Sequence, residues 1–131
     1  ANTAPNENWI QANLDMYDVA VRYGDAGKKI FLSEFGWHDD FSDSNLEKIG
    51  DWYPEALDIL KEKLPSLESV FVFRMFNWES TGKDVKDMEK TFGIFTSPSS
   101  KDGMTPKPAA ISLFKYFNGE DADVTPLYNL G

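Results

Sequence analysis

The sequence predicts an α/β fold in which two parallel strands alternate with three helices. Two short apolar segments, at about 29–33 and 69–76, are separated by a long amphipathic segment and flanked by two further ones. A helix that connects two neighbouring strands favours a parallel pair with a right-handed crossover. Two strands are too few for a free-standing parallel sheet. We therefore expect the chain to form part of a larger α/β sheet or barrel, with the other strands supplied by a second chain or a missing segment.

The first predicted helix covers residues from about 8 to 23 and ends at Gly24. Its apolar residues recur at spacings of four, three and four, which is one face of a 3.6-residue period; they are Ile10, Leu14, Tyr17 and Val21. The polar residues 1–7 before it are interpreted as a linker or a cut end.

The second predicted helix extends from Leu46 to Leu64, where Pro65 stops it. Pro54 lies inside this pattern and removes a backbone N–H, so we expect a kink or two abutting helices at that point. The last predicted helix follows Lys107 and ends at Gly119. Its expected inner face comprises Ala110, Ile111, Phe114 and Phe117. Between these helices, Phe92–Phe95 is predicted to be extended and 97–106 to be a turn region, and 119–131 is predicted to be an irregular tail.

Composition excludes several classes of function. With 13 basic and 22 acidic residues the net charge is −9, which argues against nucleic acid and anionic membranes as partners. The chain has no cysteine and one histidine, so neither a thiolate nor a multi-histidine metal site can form. No apolar run approaches the roughly 20 residues of a membrane span. We expect no cofactor, and we favour a secreted or periplasmic location over a cytoplasmic one.

Polar and aromatic residues follow both predicted strands. Glu34 ends the first strand, and Trp78 follows the second. Ligands bind beyond the carboxyl ends of parallel strands, so these two side chains are expected on one rim. A carboxylate beside an indole ring suits a retaining glycosidase, in which the carboxylate attacks the anomeric carbon and the ring packs against the sugar.

Three motifs resemble the clan A retaining glycoside hydrolases, which are TIM (β/α)8 barrels. Ser33-Glu34-Phe35-Gly36-Trp37 is similar to the seventh strand of that clan, which carries the nucleophile. Phe73 to Trp78 is similar to the eighth strand. Phe92-Gly93-Ile94-Phe95, followed by Thr105-Pro106-Lys107-Pro108-Ala109, resembles the ending that leads into the last helix. The resemblance covers residues 28 to 117 and implies the C-terminal part of one barrel domain.

The resemblance also implies roles for individual residues. Glu34 would be the nucleophile and Trp78 the sugar platform, with Trp37 and His38 as further substrate contacts. The acid/base glutamate of this clan follows the fourth strand, usually as Asn-Glu-Pro. Asn6-Glu7 has neither the proline nor a preceding strand, so we interpret it as helix capping. A carbohydrate is the implied substrate, and a second chain or missing N-terminal segment would complete the barrel and supply the acid/base.

Other interpretations stay open at this point. Glu34 could be a structural carboxylate bonded to a tryptophan or to Arg74, and Trp78 could be a core residue. Glu79 is a candidate second carboxylate, although it should point away from Trp78. His38 could be a surface residue, and Arg74, inside an apolar strand, needs a buried partner. The whole chain could instead be a non-catalytic carbohydrate-binding or assembly fragment, or an unrelated small α/β interaction domain.

Overall fold

The computed structural model describes residues 3–6, 8–39, 43–78 and 87–130. Three helices and two strands alternate along the chain, as the sequence predicts: α1 (Gln11–Arg22), β1 (Ile30–Phe35), α2 (Asp43–Lys63), β2 (Leu67–Val72) and α3 (Pro108–Asn118). Two short 3-10 helices lie at Asp87–Thr91 and Thr125–Asn129, the second of them inside the predicted irregular tail. The protein is a mixed α/β structure.

The two strands are hydrogen-bonded parallel neighbours. Phe31 lies opposite Ser69, Leu32 opposite Val70, and Phe35 opposite Val72. The predicted bounds need correction, because β1 extends to Phe35 and β2 ends at Val72 instead of 76. After one further hydrogen bond, from Phe73 N to Phe35 O at 2.9 Å, the chain leaves β1. Competition from another segment therefore ends the second strand early.

That competing segment is the predicted extended stretch around Phe92–Phe95. Arg74 N donates to Phe92 O at 3.3 Å, Asn77 N donates to Phe95 O at 3.0 Å, and Trp78 N donates to Lys90 O at 3.0 Å. Phe95 also forms a bridge to Pro106. Residues 74–78 thus form a narrow ribbon with 90–95 beyond the end of β2.

The core lies between the helices and one face of the sheet. Its buried members on α2 are Ile49, Tyr53, Ala56, Leu57 and Leu60. Ile30, Leu32, Val70 and Val72 of the sheet pack against this cluster. On the opposite face, Phe31 is 57% exposed and Phe71 is 54% exposed. Only one face of the two-stranded sheet is covered by the described residues.

Two predicted helix faces need correction. In α1, Ile10 just before the helix is fully buried and Leu14 and Tyr17 reach the core, but Val21 is 43% exposed. In α3, the buried residues are Ala109, Ala110 and Leu113, whereas Phe117 is 69% exposed. The helix faces α2 through its small residues because Pro108 lies against Gly50, where an added Cβ would stand 2.8 Å from Pro108 Cβ.

Of the two alternatives predicted at Pro54, two abutting helices is wrong, because α2 is one helix of 21 residues. Proline removes the hydrogen bond that would reach the Gly50 carbonyl, which normally kinks a helix. Tyr53 and Ala56, on either side of it, are 1% and 0% exposed. Their burial holds both halves of the helix on one core, so tertiary packing overrides the local preference. Among the described helices, none is both long enough and apolar enough to cross a membrane.

Burial of the Tyr53 phenol predicts a loss of stability at alkaline pH. Desolvation raises its pKa from 10.0 to about 12, and the nearby backbone N–H of Trp37 offsets part of this without reaching regular hydrogen-bond geometry. Between pH 10 and 12 the unfolded chain releases a proton that the folded chain keeps. The Tyr53 contribution is therefore present below pH 10 and falls by about 1.4 kcal/mol for each pH unit between pH 10 and pH 12.

Urea denaturation at pH 8, 10 and 11 checks this prediction. The free energy of unfolding of wild type should fall more steeply above pH 10 than that of Tyr53→Phe. Tyr128→Phe is the matched control, because that ring is 53% exposed. Parallel pH profiles for wild type and Tyr53→Phe would contradict the assignment.

Candidate functional site

Glu34 lies at the carboxyl end of β1, where the register between β1 and β2 is irregular. Three residue steps separate Leu32 from Phe35, whereas only two separate their partners Val70 and Val72. One extra residue is thus inserted into β1, which is a β-bulge. With regular alternation, Glu34 would point to the same face as Leu32. Instead Ser33 and Glu34 are both exposed and Phe35 is buried, so the bulge turns the carboxylate away from the helices.

The backbone that follows Glu34 is held firmly. Phe35 packs edge-to-face against Tyr53, with ring centroids 5.4 Å apart. At Gly36 an added Cβ would collide with Phe73 O and would stand 3.0 Å from Tyr53 Oη. Glycine is required here because the chain passes directly against β2 and α2. Packing of Phe35 and Gly36 therefore fixes the backbone next to Glu34, while the Glu34 carboxylate is exposed to solvent.

Trp37, a predicted substrate contact, lies in the core. Its side chain is 6% exposed, and its Nε1 donates to Thr3 O at 3.0 Å. Its ring stacks on Trp9 with centroids 5.5 Å apart and meets Tyr53 edge-on at 5.2 Å. These neighbours occupy the ring, so a sugar could contact Trp37 only after the surrounding cluster had opened.

His38, the other predicted contact on this loop, is half-buried. Its ring packs edge-to-face on Phe92 at 5.5 Å, and Phe92 packs on Phe73 at the same centroid distance. His38 thereby connects the loop after β1 to the ribbon that follows β2. Both predicted contacts on this loop are engaged by aromatic neighbours.

Trp78 is 51% exposed, in the ribbon beyond the end of β2. The Arg74 guanidinium lies over its ring, with Cζ 5.1 Å from the centroid, and also over Phe73 at 4.7 Å. Residues 74–78 line an open cleft of about 410 Å³. We name it the Arg74–Trp78 cleft. Glu34 is not among the residues that line this cleft.

A buried ammonium group at Lys107 connects the loops at this end of the sheet. Lys107 Nζ donates to Asp39 Oδ2 at 2.6 Å, to Asn77 Oδ1 at 2.6 Å and to Thr91 O at 3.3 Å. The side chains of both charged partners are 7% exposed. Burial lowers the pKa of Lys107, and the Asp39 carboxylate opposes that shift. The Lys107 ammonium, at the start of α3, thus connects the loop after β1 with the ribbon after β2.

Sequence reasoning missed this cluster. In the sequence Lys107 stands out only as part of the motif that leads into the last helix, and no pattern singles out Asp39 or Asn77. A usable signal existed, because lysine is almost never buried without a partner and this one sits between Pro106 and Pro108 at a helix start. The partners could not be named, since they lie 68 and 30 residues away in sequence.

Close packing at Gly93 holds the ribbon that carries Trp78. An added Cβ would collide with Asn77 N and Phe76 C and would stand 2.7 Å from Phe76 O. These are backbone atoms that cannot rotate away. We expect Gly93→Ala to lower the free energy of unfolding by about 1–3 kcal/mol, the usual cost of overpacking.

Chemical denaturation of Gly93→Ala beside Gly27→Ala tests this expectation. Gly27 has nothing within 4 Å of an added Cβ. The control should therefore match wild type or exceed it slightly, since alanine restricts the unfolded chain. Equal midpoints for the two variants would contradict the close approach at Gly93.

The remaining candidates add little to the site. Glu79 lies outside the described residues. Asn6, predicted to cap a helix, accepts backbone hydrogen bonds from Asn8 at 2.9 Å and Trp9 at 3.0 Å in the turn before α1. Within the ranges that the structure describes, no group of three or more acidic or histidine side chains could hold a metal ion.

No family model matches the chain, and no curated protein matches it significantly. The fold and site define its class only coarsely, as an α/β protein in which a carboxylate projects from the end of a parallel strand.

Proposed function

We propose that this chain is the C-terminal part of a (β/α)8 barrel glycoside hydrolase that cleaves β-linked oligosaccharides or polysaccharides with retention of configuration. The bulge in β1 is the observation that carries this proposal. It presents Glu34 at the carboxyl end of a parallel strand, which is where ligands bind in such folds. Bulges are common next to active sites because they re-aim one side chain.

The bare face of the sheet supports the barrel. Ser33 and Glu34 project on the side away from the helices, and Phe31 and Phe71 are more than half exposed. In a barrel this face is the interior, where side chains from all strands fill the centre. A second chain or a further segment that supplies the other strands would cover both phenylalanines and enclose Glu34.

The proposed mechanism is double displacement. A Glu34 carboxylate oxygen attacks the anomeric carbon, and the bond from that carbon to the leaving oxygen breaks. A glutamic acid from the rest of the barrel gives its proton to the leaving oxygen. The same group, now a carboxylate, takes a proton from water, and the hydroxide oxygen displaces Glu34 to restore the β-configuration. The two carboxyl groups must lie about 5 Å apart.

Among the predicted substrate contacts, Trp78 is the residue that a sugar can reach. Its ring is half-exposed and borders an open cleft. The flat apolar face of an indole ring suits the C–H face of a sugar. Trp37 and His38 then have a structural role, because their rings pack against Trp9 and Phe92 and hold the loop after β1 in place.

A second candidate function is carbohydrate binding without turnover. The exposed Trp78 favours it, because a platform can bind a sugar without an acid/base partner. In that case the fragment would have descended from such a barrel and would bind or assemble without hydrolysing. Turnover separates the two candidates.

Hydrolysis of a panel of 4-nitrophenyl β-glycosides tests the proposal. It would be measured for this chain alone and for this chain with the polypeptide that supplies the other strands. We expect release of 4-nitrophenolate from the assembly, with the β-anomer of the sugar as first product by NMR. No turnover in either case would refute the glycosidase, and the α-anomer as first product would refute the nucleophilic role of Glu34.

A further inference from the structure

Arg74 is an unusual residue for its surroundings. It is one of two arginines in the chain and stands in the apolar run Phe73-Arg74-Met75-Phe76. Its side chain is half-buried. A guanidinium in such a place is normally paired with a carboxylate. Within the described part of the chain, no carboxylate forms an ion pair with Arg74, and its side-chain contacts are the rings of Phe73 and Trp78.

The two rings hold the guanidinium in place. Its Cζ lies 4.7 Å from the Phe73 centroid and 5.1 Å from the Trp78 centroid, both within the range of cation–π attraction. A guanidinium carries five N–H donors in a planar fork that matches a carboxylate. The two rings therefore orient the Arg74 guanidinium beside the cleft, and its N–H groups can still donate hydrogen bonds to a ligand.

The Arg74–Trp78 cleft combines two kinds of recognition. The cleft is shallow and largely open to solvent, with a volume of about 410 Å³. The exposed Trp78 ring offers an apolar platform, and the neighbouring Arg74 offers a fixed positive charge. Among common biological molecules, a sugar that carries a carboxylate presents both a flat C–H face and an anion.

We propose that the Arg74–Trp78 cleft binds a uronic acid unit of an oligosaccharide, with the sugar ring on Trp78 and its carboxylate on Arg74. This inference rests on the proposed function for the sugar and adds the carboxylate. The net charge of −9 repels anionic ligands, so an acidic sugar needs a local positive charge, which Arg74 supplies.

Two ligands that differ only at C6 give the test. Methyl β-D-glucuronide carries a carboxylate where methyl β-D-glucoside carries a hydroxymethyl group. Each would be titrated into the full chain while the indole N–H resonance of Trp78, assigned with Trp78→Phe, is followed by NMR. We expect the glucuronide to bind about threefold to tenfold more tightly, as one charge-assisted contact at a partly exposed site provides.

Variants assign the preference to Arg74. Arg74→Met should bind both glycosides equally, and Arg74→Lys should keep only part of the preference because it loses the planar fork. Arg22→Met, an exposed arginine at the end of α1, is the matched control and should behave as wild type. Equal binding of the two glycosides by wild type, no binding of either, or a preference that survives in Arg74→Met would each overturn the proposal.

The binding assay is independent of turnover. A glucuronide preference of this chain, together with no hydrolysis by the assembled barrel, would refute the glycosidase and keep the uronic acid site as a binding site. Hydrolysis of neutral glycosides without a glucuronide preference would refute this inference and keep the glycosidase.

Discussion

Replacing Glu34 with glutamine is expected to lower kcat/KM for β-glycoside hydrolysis by the assembled enzyme by at least about 10³-fold, the scale at which loss of a nucleophile acts. The amide keeps the size of the side chain but is a far weaker nucleophile than the carboxylate. Stability should change little, because Glu34 is exposed. Hydrolysis rates and denaturation midpoints measured on the same preparations separate chemistry from folding.

The matched control is Glu55→Gln, which neutralises an exposed carboxylate on α2. It should leave kcat/KM unchanged. In Glu34→Ala, which vacates the side of the sugar that the carboxylate faces, added azide should displace the leaving group and yield an α-glycosyl azide, whereas Glu55→Gln should yield none. Full activity of Glu34→Gln would show that Glu34 is not the nucleophile.

Replacing Lys107 with methionine is expected to lower the free energy of unfolding by about 3–5 kcal/mol, the cost of removing one partner of a buried ion pair. The change withdraws the ammonium from beside the Asp39 carboxylate and from Asn77 and Thr91. Since both charged side chains are 7% exposed, water screens them little. Urea denaturation of wild type and variant at neutral pH measures the loss.

A double variant shows that charge, not shape, causes the loss. Asp39→Leu combined with Lys107→Met removes both charges, and such replacements are often neutral. We expect it to recover most of the stability lost in Lys107→Met. Lys101→Met, at an exposed turn, should match wild type. A single variant as stable as wild type would contradict the role assigned to Lys107.

The sequence predicted the elements that depend on periodicity. The order of helices and strands and the parallel pairing are confirmed, because apolar spacing and crossover rules act locally. The errors arise where distant segments compete. The second strand ends at Val72 because residues 74–78 pair with 90–95 and not with β1. Helix α2 continues through Pro54 because residues on both sides of the proline are buried in one core.

The sequence predicts where the candidate residues stand along the chain, but not their geometry. The position of Glu34 at a strand end followed from the apolar run before it. The bulge that turns it outward depends on register with β2, which no local pattern encodes. Trp37 is predicted as a substrate contact on the loop after β1, yet its ring packs on Trp9 and its Nε1 donates to Thr3, which both come from a remote segment. The Lys107 cluster likewise joins residues far apart in sequence.

Mass spectrometry after reaction with 2,4-dinitrophenyl 2-deoxy-2-fluoro-β-glycosides tests the central claim most directly. The leaving dinitrophenolate needs no proton, so the first displacement can proceed even without the acid/base glutamate. The fluorine slows the second step, and the glycosyl ester accumulates. The proposed function predicts one added glycosyl group, located by fragmentation on Glu34. A label on any other carboxylate, or an unlabelled Glu34 after prolonged reaction, would contradict it.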